Sequence, residues 1–122
     1  MLDIRLVTRI LYHWGTRCFG QAHMADPKIR GLRAAEEIVE ICQALQVPRE
    51  KMHLLVDVVY NRTPSDDIAQ EYGGAMITLL VLAWCTGHKL EVCLETELLR
   101  VLALPPEQFQ KRNLDKIELG LD

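Results

Sequence analysis

The chain contains no Asn-Gly or Asp-Gly dipeptide and little sustained alternation of apolar and polar residues. Those are the strongest short-range signals of hairpins and half-buried strands, and their absence argues against a β-protein. No block of five or more like charges occurs, which removes acidic and basic tails. A net charge of −3 leaves no basic excess for a broad phosphate-backbone footprint, so no nucleic-acid polymer is expected as a partner. The four cysteines, at 18, 42, 85 and 93, form no CxxC pair and no Cys/His cluster at zinc spacing. Buried free thiols in a reducing compartment are the expectation, and with it a cytoplasmic location. Asp3 and Arg5 interrupt the apolar residues at the start, unlike the h-region of a signal peptide. The longest apolar run, Ala75 to Cys85, is broken only by Thr78 and is shorter than the roughly 20 residues a bilayer needs. It reads as a core helix, with no membrane as partner.

What is present is helical punctuation. The 122 residues, 49% of them hydrophobic and 25% charged, suit one domain, residues 1–122, with a real core. Residues 3–18 predict a first helix ended by Gly20. Asp26 as N-cap and Pro27 at the first helical position open a second, which runs to about Leu45 before Val47-Pro48. Proline at N1 begins a third over 48–61. Ser65 caps a long fourth helix ending at Gly87, "KLEVCLETELLRVL" forms a fifth, and "PPEQFQKRNLDKIELG" a sixth. The fold class is all-α, a single-domain bundle of about five to six helices.

Within this frame, "EEIVE" crowds Glu36, Glu37 and Glu40 onto one helical surface at i,i+3 and i,i+4 spacing. Like charges at that spacing repel by tenths of a kcal/mol per pair, a sign that a divalent cation would reverse. Taken alone, such a face also reads as a solvated helix surface. The fourth helix sharpens the question: Asp67, Glu71, Gly74 and Thr78 make one narrow polar stripe beside a segment apolar nearly all round. Gly73 and Gly74 cost that helix about 2 kcal/mol against alanine, so something is expected to offset them: a close phosphate, a second helix, or tight packing at Gly73.

"EEIVE" (36–40) followed by "EYGGAMITLLVLA" (71–83) resembles the MazG-like all-α nucleoside triphosphate pyrophosphohydrolases, whose pattern is EExxE, a spacer, then ExxD leading into a hydrophobic helix. His13-Trp14 and Phe19 upstream, and "NLDK" (113–116) as an Asn-x-x-Arg/Lys element, agree in order, and the resemblance covers about residues 10 to 118. It implies a MazG-like bundle completed by dimerisation, as a homodimer or homotetramer. It also implies hydrolysis of a nucleoside triphosphate, (d)NTP, to the monophosphate and pyrophosphate, in nucleotide-pool control or house-cleaning. Mg²⁺ would be the cofactor, with Mn²⁺ as the alternative ion. Glu36, Glu37, Glu40 and Glu71 would be metal ligands, with Glu37 or Glu40 also orienting or deprotonating the attacking water. Lys111, Arg112, Asn113 and Lys116 would hold phosphates, and Trp14 would stack on the base or belong to the core.

The chain departs from that pattern where Gly74 stands at the position of the family's Asp, and the spacer between Glu40 and Glu71 is 30 residues. Asp67, one turn before Glu71, is the expected substitute ligand, with Glu95 and Glu97 behind it. The alternatives are a non-catalytic nucleotide or metal binder on the same scaffold, or a helical interaction module. His53 and Asp57, at i,i+4 on the third helix, read as packing or surface residues, and Cys42, Cys85 and Cys93 as core.

Overall fold

Asp3 caps the first helix: its Oδ1 accepts from the backbone N–H groups of Arg5 and Leu6 at 2.9 and 3.4 Å. The computed structural model describes residues 2–122, and among them it is all-helical, with no strand. Seven helices follow in order: α1 (Ile4–Phe19), α2 (Gln21–Ala25), α3 (Pro27–Ala44), α4 (Arg49–Tyr60), α5 (Ile68–Cys85), α6 (Leu90–Ala103) and α7 (Pro106–Glu118). The short α2 falls in a stretch left without an element in the sequence reading. Gly20, at φ 79°, closes α1 and starts α2 in one step.

Two start signals moved. Pro48 is the cap of α4, not its first residue, because its ψ of 143° is extended; the ring sets φ and leaves ψ free. Asp67, not Ser65, caps α5, accepting from Gln70 N–H at 3.1 Å. The Ser65 hydroxyl instead accepts from the Asp67 N–H at 3.1 Å, forming a turn one step ahead of the helix.

The chain divides into two compact units, one comprising the residues up to Glu36 with Cys93–Asp122, the other Glu37–Val92. In the first, α1 packs on α2 and α7. The apolar positions Val7, Ile10, Leu11, Trp14 and Cys18 recur at helical spacing and turn inward. Val7, Cys18, Ile29, Leu98 and Phe109 are buried there. The Trp14 ring meets Phe109 edge-on at 5.0 Å and Phe19 at 5.7 Å, both favourable aromatic geometries. Gly15 is buried against Met24, whose thioether occupies the place a Cβ would take.

The second unit reverses an expectation. It contains α4, α5 and the C-terminal half of α3, and none of its residues is buried. α5 was the best candidate for a core helix, yet Ile77, Trp84 and Tyr72 are 65%, 79% and 67% exposed. Hydrophobicity states that a surface favours cover; it does not state what covers it. By length and composition α5 is also long and apolar enough to cross a membrane, at a mean hydropathy of 1.3 over 18 residues. All four cysteines are free, but only Cys18 is buried; Cys42 is half-buried, and Cys85 and Cys93 are exposed rather than core.

Candidate carboxylate and phosphate-contact site

α3 begins with Asp26, whose Oδ1 accepts from Lys28 and Ile29 N–H at 2.9 and 3.3 Å. That cap sets the rotation of the helix and so the direction of each later side chain. One turn apart on one face lie Arg33 and Glu36. α7 runs beside them and supplies Asn113 and Lys116, also one turn apart. Lys116 Nζ lies 3.0 Å from Glu36 Oε2, with about a third of each side chain exposed. Arg33 Nη2 donates to Asn113 Oδ1 at 3.2 Å, and its Nη1 donates to the Leu121 carbonyl at 2.7 Å.

Asn113 is 7% exposed, the one buried polar side chain among the described residues. With its oxygen turned to Arg33, its amide nitrogen faces His23 Nδ1 at 3.3 Å. An amide nitrogen only donates, so His23 Nδ1 is the acceptor. Of the four expected phosphate contacts, Lys116 therefore reaches Glu36 of α3, and Asn113 reaches Arg33 on the same helix. Lys111 and Arg112 are exposed, and the Arg112 guanidinium lies 5.6 Å over the Phe109 ring.

Arg33 and His23 were not among the expected site residues. Arg33 was findable, since it precedes Glu36 and Glu37 by three and four positions on the same helix surface. Nothing local marks His23, because its partner comes from 90 positions away.

The carboxylates are shared between the units. Glu36 belongs to the first, engaged by Lys116; Glu37, Glu40, Asp67 and Glu71 belong to the second. One oxygen of Asp67 is committed to capping α5. Among the described residues no group of three or more His, Cys, Asp or Glu side chains is close enough to hold a metal ion. Among the described residues, then, no all-protein cage is assembled. Mg²⁺ does not require one, since it keeps several waters and takes one or two carboxylates plus substrate phosphates.

Trp14 lies in the aromatic cluster of the first unit, with two rings against it, and its Nε1 is buried without an acceptor. Arg30 adjoins the same cluster: its guanidinium sits 4.8 Å over the Phe19 ring, with Nε and Nη2 buried and unpaired. Desolvation, then the neighbouring Arg33 charge, holds Arg30 below the usual guanidinium range, and Asp26 offsets part of this. In the second unit, α3 and α4 enclose a cleft of about 460 Å³ between Val39, Val47, Met52 and Val56, with Arg49 and His53 on its wall. His53 is exposed at that cleft, as the surface reading of the sequence expects. Compared with protein families, curated proteins and solved structures, the chain matches none.

Proposed function

We propose that this protein is a Mg²⁺-dependent nucleoside triphosphate pyrophosphohydrolase, cleaving the α–β phosphoanhydride of a (d)NTP with water to give a nucleoside monophosphate and pyrophosphate. The observation that carries the reading is the contact between Lys116 of α7 and Glu36, the first carboxylate of the EEIVE run on α3. Lys116 contacts Glu36 at 3.0 Å and Asn113 contacts Arg33 at 3.2 Å, so a lysine and an arginine stand at the head of the EEIVE run. A triphosphate with its metal ion needs that combination: carboxylates toward the cation, Lys and Arg toward the anionic oxygens.

Glu37 and Glu40 would hold the ion, with Glu71 as the further candidate from α5. Bound there, Mg²⁺ supplies charge neutralisation on the phosphates and a more acidic water. Lys116 and Arg33 neutralise phosphate oxygens, and Asn113 fixes Arg33 in place. Glu40 or Glu37 orients the water and accepts its proton. A cytoplasmic nucleotide pool is the setting that suits such a substrate.

The test is pyrophosphate release from a panel of NTPs and dNTPs, with and without Mg²⁺, for wild type and Glu40→Gln. Metal-dependent release, reduced on the order of 10²-fold in the variant, is the expected result. No release from any nucleotide by folded wild type would overturn the proposal and leave binding without turnover as the reading.

A further inference from the structure

We infer that the Arg30 side chain, beside the Phe19 ring, is a binding site for a small oxyanion that presents two oxygens. Among the described residues, three buried side-chain nitrogens have no hydrogen-bond partner: Trp14 Nε1, Arg30 Nε and Arg30 Nη2. All three only donate, so each calls for an acceptor. The two on Arg30 are the more specific. Nε–H and Nη2–H point side by side from one edge of the planar guanidinium, a fork that matches two oxygens of a carboxylate or phosphate. Arg100 shows that edge in use, with both nitrogens donating to the Glu97 carboxylate. On Arg30 neither nitrogen has an acceptor.

The charges around it favour an anion. The other carboxylates at this end of α3 are engaged: Asp26 Oδ1 caps the helix and Glu36 takes Lys116. Arg33, one turn beyond Arg30, donates to two neutral acceptors, the Leu121 carbonyl and Asn113 Oδ1. Two guanidinium charges therefore stand one turn apart, with no carboxylate paired to either among the described residues. Like charges at that spacing repel, and a half-buried cation without a counter-charge opposes folding. A bound anion relieves both. Trp14, Phe19, Arg30 and Arg33 all belong to the first unit, so the site draws on one unit alone. It uses none of Glu37, Glu40 and Glu71 and does not rest on the proposed hydrolysis.

Both Arg30 nitrogens are shielded as the chain stands, so the ligand enters as the guanidinium leaves its place 4.8 Å over the Phe19 ring. A cation–π contact is weaker than a charge-assisted bidentate pair, which makes that exchange favourable. Arg30 and Phe19 are both half-buried, and each has solvent to move into. Trp14 meets Phe19 at 5.7 Å, so its emission reports the rearrangement. Carboxylate and phosphate share the required chemistry, two acceptor oxygens and negative charge.

The test uses the full chain with Trp84→Phe, which leaves Trp14 as the sole tryptophan. Inorganic phosphate and acetate are titrated separately, with sodium chloride holding the ionic strength constant. The expected result is a saturable change in Trp14 emission. It is accompanied by a melting temperature about 5 °C higher once the anion exceeds its Kd tenfold. Saturation by phosphate assigns a phosphoryl ligand, and saturation by acetate alone a carboxylate. Arg30→Leu replaces the unpaired donors with carbon, is expected to fold at least as well, and abolishes the response. Arg30→Lys keeps the charge without the fork and weakens binding at least tenfold. Lys116→Met, which alters the proposed hydrolytic site, leaves the response in place. No saturable change with either anion overturns the inference. So does a response that survives Arg30→Leu, stays at full strength in Arg30→Lys, or disappears in Lys116→Met.

Discussion

Lys116 Nζ stands 3.0 Å from Glu36 Oε2, tying the last helix to the acidic face of α3. With both side chains about a third exposed, the pair contributes little to stability. Lys116→Met is expected to cost less than about 1 kcal/mol in urea denaturation. Its effect on the proposed reaction is expected to be larger, a rise in KM for nucleotide of about tenfold with kcat changed less, because a phosphate contact is lost. An unchanged KM would remove Lys116 from the site.

Asn113 is different because it is buried and has two polar neighbours. Removing its amide in Asn113→Ala leaves Arg33 with one fewer acceptor and His23 Nδ1 without its donor. The expected cost is about 1–3 kcal/mol, the range for stranding buried polar groups. Thermal denaturation of the variant checks this. A loss under 0.5 kcal/mol (about the size of a surface substitution) would mean that water replaces the amide.

Two residues past the end of α3, Gln46 sits at φ 62°, the one residue other than glycine with positive φ among those described. The Val47 N–H donates back to the Cys42 carbonyl at 3.0 Å, the closure that Gly87 and Gly120 accompany at the ends of α5 and α7. A side chain in this left-handed conformation costs about 1–2 kcal/mol, part of which glycine would return to the unfolded chain as entropy. Gln46→Gly is therefore expected to stabilise the protein by about 0.5–1 kcal/mol. Destabilisation on chemical denaturation would refute the cap assignment.

Burial raises the Cys18 thiol above its usual range, with Glu107 adding to the shift and Arg17 opposing it. A raised folded-state value means the native state holds its proton longer than the unfolded chain. Its contribution is fully present below the unfolded thiol value of about 8.5 and is lost as pH rises toward the folded one. Stability should therefore decline above about pH 8.5, less so in Cys18→Ala. Iodoacetamide at pH 8 should label the exposed Cys85 and Cys93 well before Cys18. Equal labelling rates would contradict the burial.

Local chemistry was legible from the residues alone. Asp26, Gly20 and Gly87 mark helix ends because caps and left-handed closures involve only neighbours within about four positions. The all-α class followed from the same signals. Where two local candidates competed, at Ser65 against Asp67 and at Pro48 against Arg49, the choice needed actual backbone angles. Long-range relations were decided only by tertiary structure. The sequence pattern put Glu36 on an acidic helix face, but not opposite Lys116, 80 positions later. It marked α5 as apolar, but not that Tyr72, Ile77 and Trp84 stand exposed. Periodicity specifies which face of a helix favours leaving water; which surface meets it depends on contacts between distant segments.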